Sequence, residues 1–491
     1  MELQPDRSLD EIKGALDALS RAKERGRRQI ESLKYGVTIP GQHLLAMEKN
    51  ILICYSTYFK TVFSTIELDK LPVDQEGYQI RDIWQHDISP LLQIYEERLP
   101  ELEQSMDYFL DCTYIALSSL YCYAHPIADQ LLAVYLGLLS IYKARLWKSN
   151  KLIHRQWVDQ TRIWFGKAPA TQEEDKKGIM HRHLACLYQE GTIEHAAEIL
   201  KSRHAIHSHL LSIGQHDSLL ERAIKTKRGS LPALLIDTFN CLFETQSLAT
   251  KYSKIWAEGR VLKKFVHSQK EEFREFGFNM SILLLSSIFE FGAVDGQGRS
   301  MSSLRLALEA SFIKTSPFDL AKGKIPRHNL TAPQTLSSFG AVSRAAEAVF
   351  SIFGFILDLY EDPNIYPMVH TLMAFLQSLS DCAAEDVLKH APWTKIVQLL
   401  NWILCNNSKF LDDVDAFGVL PEDEEMAGLI FFVSHHHNQS LPTQGGYPLG
   451  TELTPILHLR KHRLLKIGYA IANHKQNIAY NGRLFECVQD R

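Results

Sequence analysis

The densest set of nitrogen ligands in this chain is the triplet His435-His436-His437. A transition-metal site draws its ligands from segments that converge on one point, and adjacent side chains on a polar loop do not converge. The triplet therefore reads as solvated loop, and no metal is expected there. His204, His207 and His209 follow Lys201 and Arg203. This stretch is basic and partly titratable, but no carboxylate pair or nucleophile shares its spacing, so acid–base catalysis does not follow. The acids of Asp412-Asp413-x-Asp415 and of Glu422 to Glu425 fall near helix starts, where the macrodipole favours them. A metal nuclease needs several carboxylates converging from strand ends, and no strand pattern accompanies these. A Gly-rich phosphate loop, a GxSxG elbow and zinc-type spacing are all absent from the sequence. The residues predict a protein that is not an enzyme and carries neither metal nor cofactor.

Charge gives a second class of candidate. Three basic groups, Lys201/Arg203, Lys225/Lys227/Arg228 and Lys263/Lys264, are local patches that could contact RNA or single-stranded DNA. They would have to act locally, because the formal net charge is -4 and no global basic field exists. The N-terminal cluster Arg21, Lys23, Arg25, Arg27, Arg28 is interleaved with one acid and reads as a solvated helix face. Eight cysteines lie scattered without a CxxC pair, as expected for free thiols in a reducing compartment. The start of the chain lacks the pattern of a signal peptide, and apolar stretches such as 345–359 are interrupted before they could span a bilayer. Nucleus and cytoplasm are the expected locations, with no membrane partner. The glycosylation-type triplets at Asn279, Asn329, Asn406 and Asn438 read as accidental.

The elements that must position these residues are helical almost throughout. Helices are expected over 8–34, 42–66 and 80–99. In 127–148, Leu131, Tyr135, Leu138, Tyr142 and Leu146 build one apolar face at helical spacing. Ala133, Gly137, Ser140 and Ala144 make a stripe of small residues on another face, which lets a second helix approach closely. Leu184, Ala185, Tyr188 and then Ala197 follow the spacing of a tetratricopeptide repeat. Further helices are expected over 232–261, 271–291, 335–359, 367–379, 392–405 and 455–474, with a long polar loop over 434–454. Sustained period-two alternation is nowhere found, so the fold class is all-α.

Read in order, several segments resemble the family of ever-shorter-telomeres proteins and nonsense-mediated mRNA decay adaptors. Trp84-Gln85-His86 resembles that family's Trp-x-His element, and Leu136-Gly137 with Tyr142-Lys143 its Leu-Gly…Tyr-Arg segment. Gly178…His183-Leu184-Ala185 resembles its Gly…Gln-Leu-Ala segment. The match continues through Pro392-Trp393, Leu399-Leu400-Asn401, Leu420-Pro421-Glu422-Asp423 and Arg463-Leu464-Leu465-Lys466-Ile467-Gly468. It ends with Ile471-Ala472-Asn473 and Gly482-Arg483-Leu484. The likeness spans about residues 40 to 488 and is to the form without a PIN nuclease domain.

That resemblance implies a charged N-terminal helix over 1–40 and a 14-3-3-like tetratricopeptide domain over 41–228. A helical-hairpin domain of the telomerase-associated DNA/RNA-binding type would then occupy 229–491. It implies a non-catalytic adaptor that binds a phosphorylated partner of the decay-helicase type and recruits decay factors, with a related family member as hetero-dimer partner. The alternatives are a telomerase-associated factor that binds RNA or telomeric single-stranded DNA, and a diverged scaffold that has lost phosphopeptide binding. A phosphoserine pocket needs fixed cations. In the decay adaptors a lysine after the Trp-x-His element and an arginine from the Leu-Gly helix supply them. Here Ser89 stands for the lysine, and Ile141 or Lys143 for the arginine, with His86 close by in sequence. Only Lys143 keeps a charge, and it would hold phosphate without bidentate geometry.

Overall fold

The computed structural model describes residues 80–99, 101–122, 126–167, 176–188, 192–204, 266–268, 270–289, 336–381, 384–407, 420–426, 429–432, 454–474 and 476–488, with isolated positions before residue 58. The chain divides into two compact units, Met1–Pro169 and Ala170–Arg491. The expected boundary at 228/229 lies outside the described residues. The helices carrying Leu184 and Ala197, grouped above with the N-terminal domain, lie in the second unit. The fold is all-α, apart from one short hairpin near the end of the described chain.

In the first unit a π-helical turn, Ile83–Ile88, leads directly into α1, Ser89–Glu97, with Pro90 in its first turn where no amide partner is needed. Helix α2, Glu103–Tyr121, buries Met106, Phe109, Leu110, Thr113, Leu117 and Leu120, the i, i+3, i+4 pattern of a one-faced helix. Helices α3, Pro126–Leu146, and α4, Lys151–Lys167, form a close pair. All four residues of the small-residue stripe are buried, and a Cβ on Gly137 would stand 2.3 Å from the Phe165 ring of α4. The stripe thus does what its spacing predicts. Tyr114 of α2 meets Trp157 and Trp164 of α4 edge-on and accepts a hydrogen bond from Trp164 Nε1 at 2.7 Å.

The second unit begins with the pair α5, Lys176–Ala185, and α6, Ile193–His204. Helix α7, Phe273–Ile288, is buried at every position from Gly277 onward. A helix apolar on all sides belongs at a centre, and α7 is in contact with α6, α8 (Leu336–Leu357) and α9 (Tyr366–Asp381). Asn279, the first of the glycosylation-type positions, is fully buried on this helix, so its triplet is not a surface acceptor. The short α10, Glu385–Leu388, and α11, Trp393–Asn407, follow, then α12, Pro421–Met426, and α13, Thr454–Asn473.

Strands β1, Ile478–Tyr480, and β2, Phe485–Cys487, pair antiparallel with Tyr480 opposite Phe485. An all-helical reading misses them because three residues are too few to show a period of two. Their turn is set by Gly482, whose φ of +91° favours glycine, and by the Asn481 carboxamide, which accepts from the backbone amides of Arg483 and Leu484.

Candidate functional site

The first unit holds the residues expected to bind phosphate, and the geometry redistributes them. Trp84 stacks on Tyr135 of α3 with ring centroids 4.5 Å apart and planes nearly parallel. The π-turn that carries Trp84 leaves His86 exposed, 3.6 Å from Asp82. Ser89, half-buried, opens α1.

Lys143 faces the other way. Its side chain is 3% exposed, and its ammonium donates to the Asp107 carboxylate at 2.5 Å and to the Asp107 carbonyl at 3.0 Å. Asp111 stands 2.8 Å away, and Trp147 Nε1 donates to the same Asp107 oxygen at 2.9 Å. A buried lysine paired with two carboxylates offers no cation to a ligand. Ile141 is buried as well, so neither expected position supplies a surface charge. Tyr135 and Lys143 are also separated by about 12 Å of helix rise, so His86 and Ser89 are not gathered around the lysine.

Two residues beyond Lys143, α3 carries a cation that does reach the surface, at a position not among the expected site residues. Arg145 is 42% exposed, lies over the Tyr142 ring at 5.9 Å and meets Glu96 of α1 at 3.2 Å. It continues the row of half-buried positions Leu131, Val134, Leu138 and Tyr142 at spacings of three and four. The periodicity that identified the helix thus also contained the residue. Burial, and after it Glu96, pushes the Tyr142 hydroxyl pKa up, so the ring stays neutral. An exposed Arg–Glu pair contributes little to stability, which leaves the guanidinium available to a better anion.

The expected nucleic-acid residues separate too. Lys201 is fully buried, its ammonium 2.8 Å from Glu198 and 2.6 Å from Glu425 and 5.0 Å from the Phe278 ring. It is therefore part of the interior rather than a phosphate contact, because its charge is matched by Glu198 on its own helix and by Glu425, remote in sequence. Arg203 lies in the last turn of α6. Lys225, Lys227, Arg228, Lys263 and Lys264 lie outside the described residues, as do His207, His209 and His435 to His437.

The motif residues of the second unit turn out to hold the fold. Pro421 opens α12, and the Asp423 carboxylate accepts from the Leu420 amide at 3.1 Å, capping that helix. Glu422, fully buried, receives Arg460 in a bidentate pair at 2.6 and 3.0 Å, with His370 Nδ1 at 3.5 Å. Asp423 faces His370 Nε2 and Arg463, each at 3.7 Å. Burial raises the Glu422 pKa, but the charge and hydrogen bonds of Arg460 together with those of His370 outweigh it and hold the carboxyl at about 2. Trp393 Nε1 donates to the Leu388 carbonyl at 3.0 Å. The Asn401 carboxamide pairs with both the amide and the carbonyl of Phe485, acting as a third strand for β2. Gly468 leaves room for Leu400, which a Cβ would approach to 2.7 Å.

No protein-family model matches the chain, and no curated protein matches it. Among the described residues no helix is long and apolar enough to cross a membrane.

Proposed function

We propose that this chain is a non-catalytic helical adaptor of the kind found among nonsense-mediated mRNA decay and telomere-maintenance factors. Its first unit, in this reading a 14-3-3-like tetratricopeptide domain, docks an anionic, phosphorylated segment of a partner protein. The second unit is the scaffold that recruits decay factors, in the nucleus or the cytoplasm. The observation that carries the reading is the role of the motif residues. Glu422, Asp423, Arg463, Trp393, Asn401 and Gly468 are each engaged in a buried or capping contact, which is how residues that define a scaffold behave. Within the first unit the half-buried row from Leu131 to Arg145 offers apolar contact beside an exposed guanidinium, and a guanidinium can grip phosphate bidentately.

A second reading, a diverged scaffold without phosphate recognition, is favoured by the burial of Lys143. Fluorescence anisotropy with paired Ser-Gln peptides, phosphorylated and not, separates the two. Phosphorylation should tighten binding at least about tenfold, or roughly 1.4 kcal/mol, and Arg145→Glu should remove the gain while Lys143→Met keeps it. Equal binding of the two peptides would leave the scaffold reading. Peptide-independent binding of single-stranded RNA or DNA with a steep salt dependence would instead move the assignment to the nucleic-acid alternative.

A further inference from the structure

The cluster around Lys201 has the composition of a metal centre. His181 on α5, Glu198 on α6 and Glu425 on α12 each offer one ligand-type atom, and the three atoms lie within 4.8 Å of one another. Glu198 is fully buried and His181 and Glu425 nearly so. One imidazole nitrogen and two carboxylate oxygens, supplied by three separate segments, are a donor set suited to Zn2+, Co2+ and related divalent ions. A cation already stands between the oxygens. Lys201 Nζ is 2.8 Å from Glu198 Oε1 and 2.6 Å from Glu425 Oε2, while His181 Nδ1 is 2.7 Å from Glu198 Oε2.

We propose that this cluster is a divalent transition-metal site, with His181, Glu198 and Glu425 as ligands, whose cation position is filled by the chain's own Lys201 ammonium. An ammonium and a metal ion need the same arrangement of oxygens converging on one positive centre. The ammonium reaches it through a covalent tether, so its effective concentration exceeds that of any free ion. Removal of the ammonium takes a positive charge away from two buried carboxylates, which is costly in a low-dielectric interior, and opens the space the side chain filled. A divalent ion balances both carboxylate charges, where the ammonium balanced one, and contracts the oxygens from about 2.7 Å to about 2.1 Å. With its proton on Nε2, His181 turns the Nδ1 lone pair to the same point. That tautomer gives up the hydrogen bond from Nδ1–H to Glu198 Oε2, and the bond to the ion takes its place.

The test uses the full chain with Lys201→Ala, wild type alongside, and Co2+ and Zn2+ as probes. The wild type sets the background of uptake away from the cluster. The variant should take up one Co2+ per chain beyond that background, with visible d–d absorption. Its thermal midpoint, lowered by the substitution, should recover by several degrees in Zn2+. Adding Glu425→Gln to Lys201→Ala should abolish both effects. Where the variant is insoluble without metal, refolding it in Zn2+ provides the same readout through recovery of soluble chain. Uptake no greater than wild type with no recovery overturns the proposal, as does uptake that survives Glu425→Gln. Wild-type uptake that Glu425→Gln removes would equally overturn it, because Lys201 would then not exclude the ion.

Discussion

Lys201 Nζ lies 2.6 Å from Glu425 Oε2 across 224 positions of sequence. This bridge ties α6 to α12 and makes the α5–α6 pair part of the framework of the second unit. Removing one partner of a buried pair strands the other charge and typically costs about 3–5 kcal/mol. Lys201→Met should therefore lower unfolding stability by about 3 kcal/mol. Glu425→Gln should cost less, since its carboxylate is the more exposed of the two. In urea titrations a fragment 170–491 should keep one cooperative transition, whereas 229–491, which lacks α6, should lose cooperativity. A 229–491 fragment as stable as 170–491 would show that the bridge is dispensable.

The Glu422–Arg460 pair predicts an acid-sensitive interior. The Glu422 pKa is lowered from 4.5 to about 2 in the folded chain, where Arg460 and His370 together overcome the effect of burial. Below its ordinary pKa the unfolded chain takes up the proton first, so the stabilisation is complete above about pH 4.5 and disappears as the pH falls through about 2. The difference corresponds to about 3 kcal/mol. Urea midpoints measured from neutral pH down to about pH 2.5 should fall steeply in the wild type. Glu422→Gln should flatten that slope and lower stability at neutral pH, where Arg460 loses its charged partner. An unchanged slope in the variant would assign the acid sensitivity to other carboxylates.

The helices were legible in the sequence because their signal is local. Gly137 announces a close helix contact, whereas α2 was not among the expected helices, although Met106, Phe109, Leu110 and Leu117 carry the same spacing. The site was less legible, because a lysine read from sequence is a surface lysine unless its partner is known. Lys143 meets Asp107 at a separation of 36 residues, and Lys201 meets Glu425 at one of 224. Neither separation leaves a periodic trace. The order of the motifs from Trp393 to Gly468 could be read directly. Their roles could not, since an Asn401 that completes a strand and a Glu422 that receives an arginine look alike on the page to any polar residue in a helix. Arg145 is the intermediate case, readable from its row but overshadowed by the lysine two positions before it.

Gly137 sets two effects of opposite sign against each other. Alanine is favoured over glycine inside a helix by about 1 kcal/mol. At this position, however, the added Cβ would stand 2.3 and 2.4 Å from two atoms of the Phe165 ring. Phe165 is itself buried, so the ring moves only by disturbing α4, and overpacking of this kind costs about 1–3 kcal/mol. Gly137→Ala should therefore destabilise the first unit. Gly354→Ala on α8 should do the reverse, by up to about 1 kcal/mol, because its nearest neighbour is a comfortable 3.6 Å away. Opposite shifts of the thermal midpoint in the two variants check the argument, and equal shifts would defeat it.

Asn279 is the interior residue whose chemistry least suits its surroundings. It is fully buried on α7, and neither its carboxamide oxygen nor its nitrogen has a hydrogen-bond partner. Its neighbours Ser281 and Ser287 escape the same cost by donating to the carbonyls of Phe278 and Leu284, both at 2.6 Å, but a carboxamide needs both a donor and an acceptor. Leaving a buried polar group unpaired costs about 1–3 kcal/mol. Leucine has a similar volume and no such need, so Asn279→Leu should raise stability by about 1–2 kcal/mol with the fold unchanged. Urea unfolding followed by circular dichroism measures the shift. A loss of stability instead would mean that an internal water satisfies the carboxamide, and Asn279→Ala, which leaves room for that water, would then be the milder of the two substitutions.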